Sequence, residues 1–203
     1  SEKCPVVLDH YRDCPASRLQ SVKSPCKIHK QYLAAVSGTL PVDMPGVWHT
    51  LDLPLMQDPE NHLKMKTAAD LSLHSSALSG KIKTAVTHYH TLFTSQDWSL
   101  VTLKLDTGRT HQIRVHMAHI THPLVGDQVY GGRPRPPKGA SDEFISVLRK
   151  FDRQALHATM LRLYHPVTGI QMEWHAPIPQ DMVELIDAMR ADFEEHKDQV
   201  DWL

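Results

Sequence analysis

The chain has 203 residues, 41% of them hydrophobic, and a formal net charge of −1. That length suits one domain, or two small ones, with enough apolar content for a sizeable core. No apolar run approaches the ~18 residues a membrane-spanning helix needs, and the near-zero charge argues against a general polyanion binder.

The charge is unevenly spread. Residues 181–203 carry eight acidic residues against Arg190 and Lys197, a net −6 that leaves +5 on residues 1–180. A basic body can bind polyanions locally despite a neutral total. The first residues, SEKCPVV, show neither the basic nor the apolar region of a secretory signal. Cys4, Cys14 and Cys26 are spaced unlike paired zinc ligands, and an odd count without a signal fits free thiols in a reducing cytoplasm.

In chain order, residues 1–29 show little periodicity. HKQYLAAVSGTLP (29–41) predicts a strand ended by Gly38 and Pro41. Residues 42–80 are rich in Pro, Asp and Ser and predict loops with short edge strands. TAVTHYHTLF and WSLVTLKL alternate and are joined by TSQD, which predicts an antiparallel hairpin with Val101, Leu103 and Leu105 on one face. THQIRVHMAHI switches to helical spacing, with Ile113, Met117 and Ile120 on one stripe and Pro123 and Gly126 as the stop. GGRPRPPKGA (131–140) is a basic Pro/Gly loop. Ser141 is expected to cap a short helix that turns Phe144, Leu148 and Phe151 inward. ALHATMLRLY and IQMEWHAP predict a second hairpin around HPVTG. Asp181 is expected to cap a final helix, with Glu184 at its third position and Met182, Leu185, Ile186, Met189 and Phe193 facing the core. Tight hairpins without βαβ alternation predict an α+β fold with a mostly antiparallel sheet and flanking helices.

The chemistry concentrates in residues 106–127, DTGRTHQIRVHMAHITHPLVGD. His111, His116, His119 and His122 raise a metal site, but no HExxH pattern or nearby cysteine supports one. Gly108, Arg109, Thr110 and His111 precede a helix, where backbone N–H groups and a fixed cation favour phosphate. Arg133, Arg135 and Lys138 add a second basic patch. Spacing alone leaves phosphate binding and a merely solvated surface equally open. Arg114, set among apolar residues, calls for a carboxylate partner. Periodicity leaves open whether that pair is structural or positions a catalytic carboxylate.

LDTGRTHQIRVHMAHITHPLVGDQVYGG resembles, nearly continuously, the C-terminal signature of the RluA-type pseudouridine synthases. The likeness runs on through QALHATMLRLYHPVTG and WHAPIPQDM; upstream, KQYLAAVSG is similar to the family's tyrosine-bearing strand and TAVTHYHTL to the strand after it. The resemblance implies a pseudouridine synthase catalytic-domain fold and isomerisation of uridine in large-subunit ribosomal RNA. That reaction needs no metal or other cofactor. It implies a nucleophilic aspartate, a tyrosine that stacks on the base and helps remove the C5 proton, and an arginine that keeps the aspartate ionised. The tyrosine matches Tyr32 and the arginine Arg114. Arg109, Thr110, His111, Gln112, Arg133, Arg135 and Lys138 are the expected RNA contacts.

The family's aspartate lies in an HRLDxxTSG-like string that does not occur among the 203 residues. By family spacing it would fall at or before residue 1. Asp9 and Asp13 are the only acids in a plausible local context, but they sit too close to Tyr32. The expectation is therefore the C-terminal part of a catalytic domain, truncated at its N-terminus and without an S4-like RNA-binding domain. Such a piece exposes strand edges and apolar surface, and is expected to be poorly stable or to self-associate. The competing expectations are an inactive RNA-binding remnant lacking the nucleophile and a histidine-rich metal-binding domain.

Overall fold

The computed structural model describes residues 28–70, 82–95, 97–132, 136, 139–165 and 167–196. Its centre is a six-stranded antiparallel sheet. In chain order the strands are β1 (His29–Ser37), β2 (His49–Asp52), β5 (Val86–Thr94), β6 (Trp98–Leu105), β7 (Leu156–Tyr164) and β8 (Gln171–His175). Across the sheet they lie in the order β2-β5-β6-β1-β7-β8. The short strands β3 (Leu55–Gln57) and β4 (Met65–Thr67) form a separate two-stranded sheet. Among the described residues three α-helices complete the fold, α1 (Gln112–His119), α2 (Asp142–Lys150) and α3 (Gln180–His196), with a 3-10 turn at Ala68–Asp70. The expected α+β class and both expected hairpins are present.

The central strands are buried on both faces because helices cover both. Ala34 and Ala35 of β1 are fully buried and small enough to let packing approach from each side. On one face, Leu33, Ala35, Trp98 and Leu100 pack against Phe144 and Leu148 of α2 and Met182, Leu185 and Met189 of α3. On the other, Ala34, Val36, Val101 and Leu103 pack against Ile113 and Met117 of α1. The register sets this sorting, with Tyr32 opposite Leu103 and Ala34 opposite Val101.

Ser141 caps α2 as expected, its hydroxyl accepting the Phe144 N–H at 3.3 Å. Asp181 does not cap α3: the helix begins one residue earlier, at Gln180. The Asp181 carboxylate, inside the first turn, accepts the Met182 N–H at 2.9 Å and two hydrogen bonds from Arg153, at 2.6 and 2.8 Å, the latter tying α3 to the segment before β7. Helix α1 also departs from a single apolar stripe. Ile113 and Met117 are buried as expected, but so are Val115 and His116, because Val115 packs with Leu55 of β3 and Ala85 on the side away from the sheet.

Candidate functional site

Helix α1 is short, and both of its ends are flanked by non-glycine residues in the left-handed region. His111, at the N-cap, has φ 56°, and Thr121, just past the C-cap, has φ 67°. At the C-terminal end the His122 N–H donates to the Met117 carbonyl (2.9 Å) and the Thr121 N–H to the Ala118 carbonyl (3.0 Å). That is a Schellman closure, in which glycine is the usual left-handed residue. A β-branched residue there is an outlier.

Beyond this turn the chain docks on the sheet. The Ser37 N–H donates to the Pro123 carbonyl and the Val125 N–H to the Ala35 carbonyl, each at 2.9 Å. The Ala155 N–H donates to the Val125 carbonyl at 2.8 Å. Gly126 follows with φ 74°, and a Cβ there would sit 2.1 Å from the Arg153 carbonyl oxygen, so the position needs glycine. These constraints aim Asp127 back at α1.

The result is a bidentate ion pair. Arg114 donates from Nε to Asp127 Oδ2 at 2.7 Å and from Nη2 to Asp127 Oδ1 at 2.8 Å. Asp127 Oδ1 also accepts the Val129 and Tyr130 N–H groups, at 3.0 and 3.1 Å. The Asp127 side chain is fully buried and that of Arg114 is 13% exposed. Burial alone would push the Asp127 carboxyl up, but the Arg114 hydrogen bonds, the two N–H groups and the Arg114 charge outweigh it. The carboxyl is held below the usual range. Arg114 is pushed up by the same hydrogen bonds. The carboxylate is saturated and inaccessible, so Asp127 is not a nucleophile. Arg114 Nη1 makes no hydrogen bond among the described residues, which leaves one edge of the guanidinium for a second anion.

Neither Asp127 nor Tyr130 was singled out from sequence. Both lay in the VGDQVYGG string, but nothing in its spacing joins that string to the middle of a helix. The Tyr130 ring lies 4.9 Å from the Arg114 guanidinium carbon. Its hydroxyl accepts the Met65 N–H at 2.9 Å and lies 2.9 Å from His111 Nδ1.

The structure gathers Arg109, Thr110, His111, Gln112 and Arg114 at the start of α1. Arg109 and Thr110 are exposed, and Arg109 Nε donates to the Thr84 carbonyl at 3.0 Å. Gln112 differs from the expected RNA contact. It is 2% exposed. Its amide oxygen accepts Thr107 Oγ1 and the Arg109 N–H, and its amide nitrogen donates to the Val86 carbonyl and Thr87 Oγ1. Both ends are occupied, so it braces the loop instead of touching a ligand. Tyr32 packs on the α1 side of the sheet, against the cluster that contains Ile113 and Met117. Burial pushes its phenol up, and no hydrogen bond among the described residues joins it to Arg114. Arg133, Arg135 and Lys138 lie outside the described residues, as do Asp9, Asp13 and the three cysteines.

The four histidines go separate ways. His111 meets Tyr130, His116 donates to the Leu53 carbonyl, His119 pairs with Asp70, and His122 donates to the Ser37 carbonyl. Among the described residues no three His, Cys, Asp or Glu side chains are placed to hold a metal ion, and no helix is long and apolar enough to cross a membrane.

Residues 16–119 match the family model described as RNA pseudouridylate synthase. Relatives named "Ribosomal large subunit pseudouridine synthase D" come from several bacteria. The one from Salmonella typhimurium is 81% identical over 60% of this chain and 37% of its own length. The Escherichia coli relative is 66% identical over 76% of this chain and 44% of its own, and that of Haemophilus influenzae 49% identical over 87% and 49%. The chain thus spans less than half the length of these relatives. Among solved structures, Human RNA Pseudouridylate Synthase Domain Containing 4 matches with a TM-score of 0.57 and 25% identity, over 80% of this chain and 62% of that one.

Proposed function

The chain belongs to the RNA pseudouridylate synthase family, and on that premise we propose that it converts uridine to pseudouridine in large-subunit ribosomal RNA. In that isomerisation the N1–C1′ bond breaks, a C5–C1′ bond forms, the C5 proton is lost and N1 takes up a proton, so no atom is gained or lost overall. The observation that carries the reading is the Arg114 centre: a fixed, half-open guanidinium on the same side of the sheet as Tyr32, inside the family's signature string.

Arg114 is the group to hold a carboxylate nucleophile ionised through its open edge, while Asp127 fixes its inner edge; among the 203 residues, Asp9 and Asp13 are the acids with a local context for that nucleophile. Tyr32, whose phenol stays protonated, suits stacking on the uracil ring better than service as a standing base. Arg109, Thr110 and His111 offer donors to RNA phosphates at the start of α1, with Arg133, Arg135 and Lys138 as a second basic contact. The partner is ribosomal RNA in the cytoplasm, with no membrane, metal or other cofactor required. We assign the 203 residues to the C-terminal part of the catalytic domain. The relatives' names and the basic body of the chain support the RNA substrate.

The test is nucleoside analysis of unmodified large-subunit ribosomal RNA after incubation with the chain. Pseudouridine should accumulate at a discrete position. Tight RNA binding with no pseudouridine formed would instead favour an inactive RNA-binding remnant.

A further inference from the structure

The Arg114–Asp127 pair accounts for one edge of the guanidinium, but its face is covered by another residue. The Tyr130 ring lies against it, 4.9 Å from ring centre to guanidinium carbon, and is itself fixed at three points. Its backbone N–H donates to Asp127 Oδ1. Its ring packs beside Leu55, Ala85 and Val115. Its hydroxyl accepts the Met65 N–H.

That last bond uses the phenol oxygen as an acceptor and leaves its proton to be donated. A phenol has one proton to donate. With the Met65 N–H pointing at the oxygen, the proton is left for the other neighbour, His111 Nδ1, at 2.9 Å. Donation of that proton to His111 Nδ1 goes with a ring proton on Nε2. Burial and the nearby Arg114 charge both push His111 down, so the neutral ring this arrangement needs is the favoured form. The left-handed backbone at His111 is a local cost of the kind the surroundings must impose, and the Tyr130 hydroxyl holds the ring on that residue.

We propose that Tyr130 is the positioning residue of this site: its ring sets the plane of Arg114, and its hydroxyl fixes His111 as the Nε2–H tautomer, so that guanidinium and imidazole present their free donors together. A substrate phosphate or carbonyl oxygen at the start of α1 is then met by two groups set by one side chain. The proposal rests on the reading of the chain as a pseudouridine synthase only for what those donors act on.

Two variants test it. Tyr130→Phe removes the hydroxyl and keeps the ring; Tyr130→Leu removes both. In nitrogen-15 spectra of the imidazoles, with the His111 signals assigned from His111→Gln, the wild-type ring should be protonated at Nε2. Tyr130→Phe should shift it to a mixture of tautomers while the Arg114 Nε–H signal stays in place. Tyr130→Leu should also move the Arg114 signal. In isomerisation assays kcat should fall about fivefold in Tyr130→Phe and more than tenfold in Tyr130→Leu. An Nδ1–H ring in the wild type, or a His111 tautomer unchanged in Tyr130→Phe, overturns the proposal. So does an unchanged kcat in Tyr130→Phe where the wild type turns over. Where the wild type does not turn over, the pseudouridine synthase reading fails by itself and the spectra still decide the role of Tyr130. Should Tyr130→Leu not fold, Tyr130→Phe carries the test.

Discussion

Arg114 is bonded along one edge and carries no hydrogen bond at Nη1 among the described residues. Its inner edge is bound to a buried carboxylate, so truncating Asp127 strands a guanidinium that is only 13% exposed. Removing one partner of a buried pair costs far more than the pair itself contributes. Asp127→Ala is therefore expected to destabilise the chain by about 3 kcal/mol, the low end of the usual range because Arg114 keeps some access to water. Urea denaturation checks this: a midpoint within error of wild type would show that the pair is not the anchor described. From sequence, the need for a carboxylate was legible in an arginine flanked by Ile113 and Val115. Which carboxylate was not, because it is supplied by a turn whose placement depends on hydrogen bonds to β1 and on the left-handed Gly126.

Among the elements, α1 is the one whose local rules are broken. Its apolar stripe was readable, as were the hairpin strands and the Ser141 cap, since each depends on spacing within a few residues. The second buried side of α1 was not readable, because it exists only where β3 and the Ala85 segment come to cover Val115. Its two left-handed flanks were not readable either. Thr121 is exposed and sits where a Schellman closure favours glycine. A left-handed L-residue costs roughly 1–2 kcal/mol, partly offset by the greater freedom of an unfolded glycine. Thr121→Gly should therefore raise stability by up to about 1 kcal/mol, read as a higher thermal midpoint. A lower midpoint would mean that the threonine is held there by contacts worth more than its strain. Asp181 carries the opposite lesson. Its sequence context fits a cap; it lies inside the helix, accepts the Met182 N–H of the first turn, and is also paired with Arg153 of another element, a link no local pattern records.

On the scale of the whole molecule, the sheet has two unequal ends. The middle is covered on both faces, whereas β8 ends the sheet and its surroundings expose Tyr164, Val167, Ile170, Trp174 and Ile178. An edge strand flanked by exposed apolar side chains invites pairing with another chain. The chain is expected to self-associate at micromolar concentration in sedimentation experiments, and Trp174→Lys with Ile170→Lys should shift it toward monomer. A wild type that stays monomeric throughout would contradict that expectation. The α+β class was legible in the alternating hairpin strands and the site's arginine in the nearly continuous signature string, while Asp127, Tyr130 and the scaffold role of Gln112 emerged only from the packed structure.

We propose the Arg114 centre as half of an active site that isomerises uridine. The most direct measurement is tritium release from large-subunit ribosomal RNA labelled at uridine C5, with the chain in stoichiometric amount, comparing wild type with Arg114→Lys. Lysine keeps a positive charge beside Asp127 but not the two-edged fork. Tritium release by the wild type and a loss of at least a hundredfold in Arg114→Lys, with RNA affinity little changed, are the expected results. Equal release by both proteins, or none by a wild type that binds the RNA, would contradict the proposal.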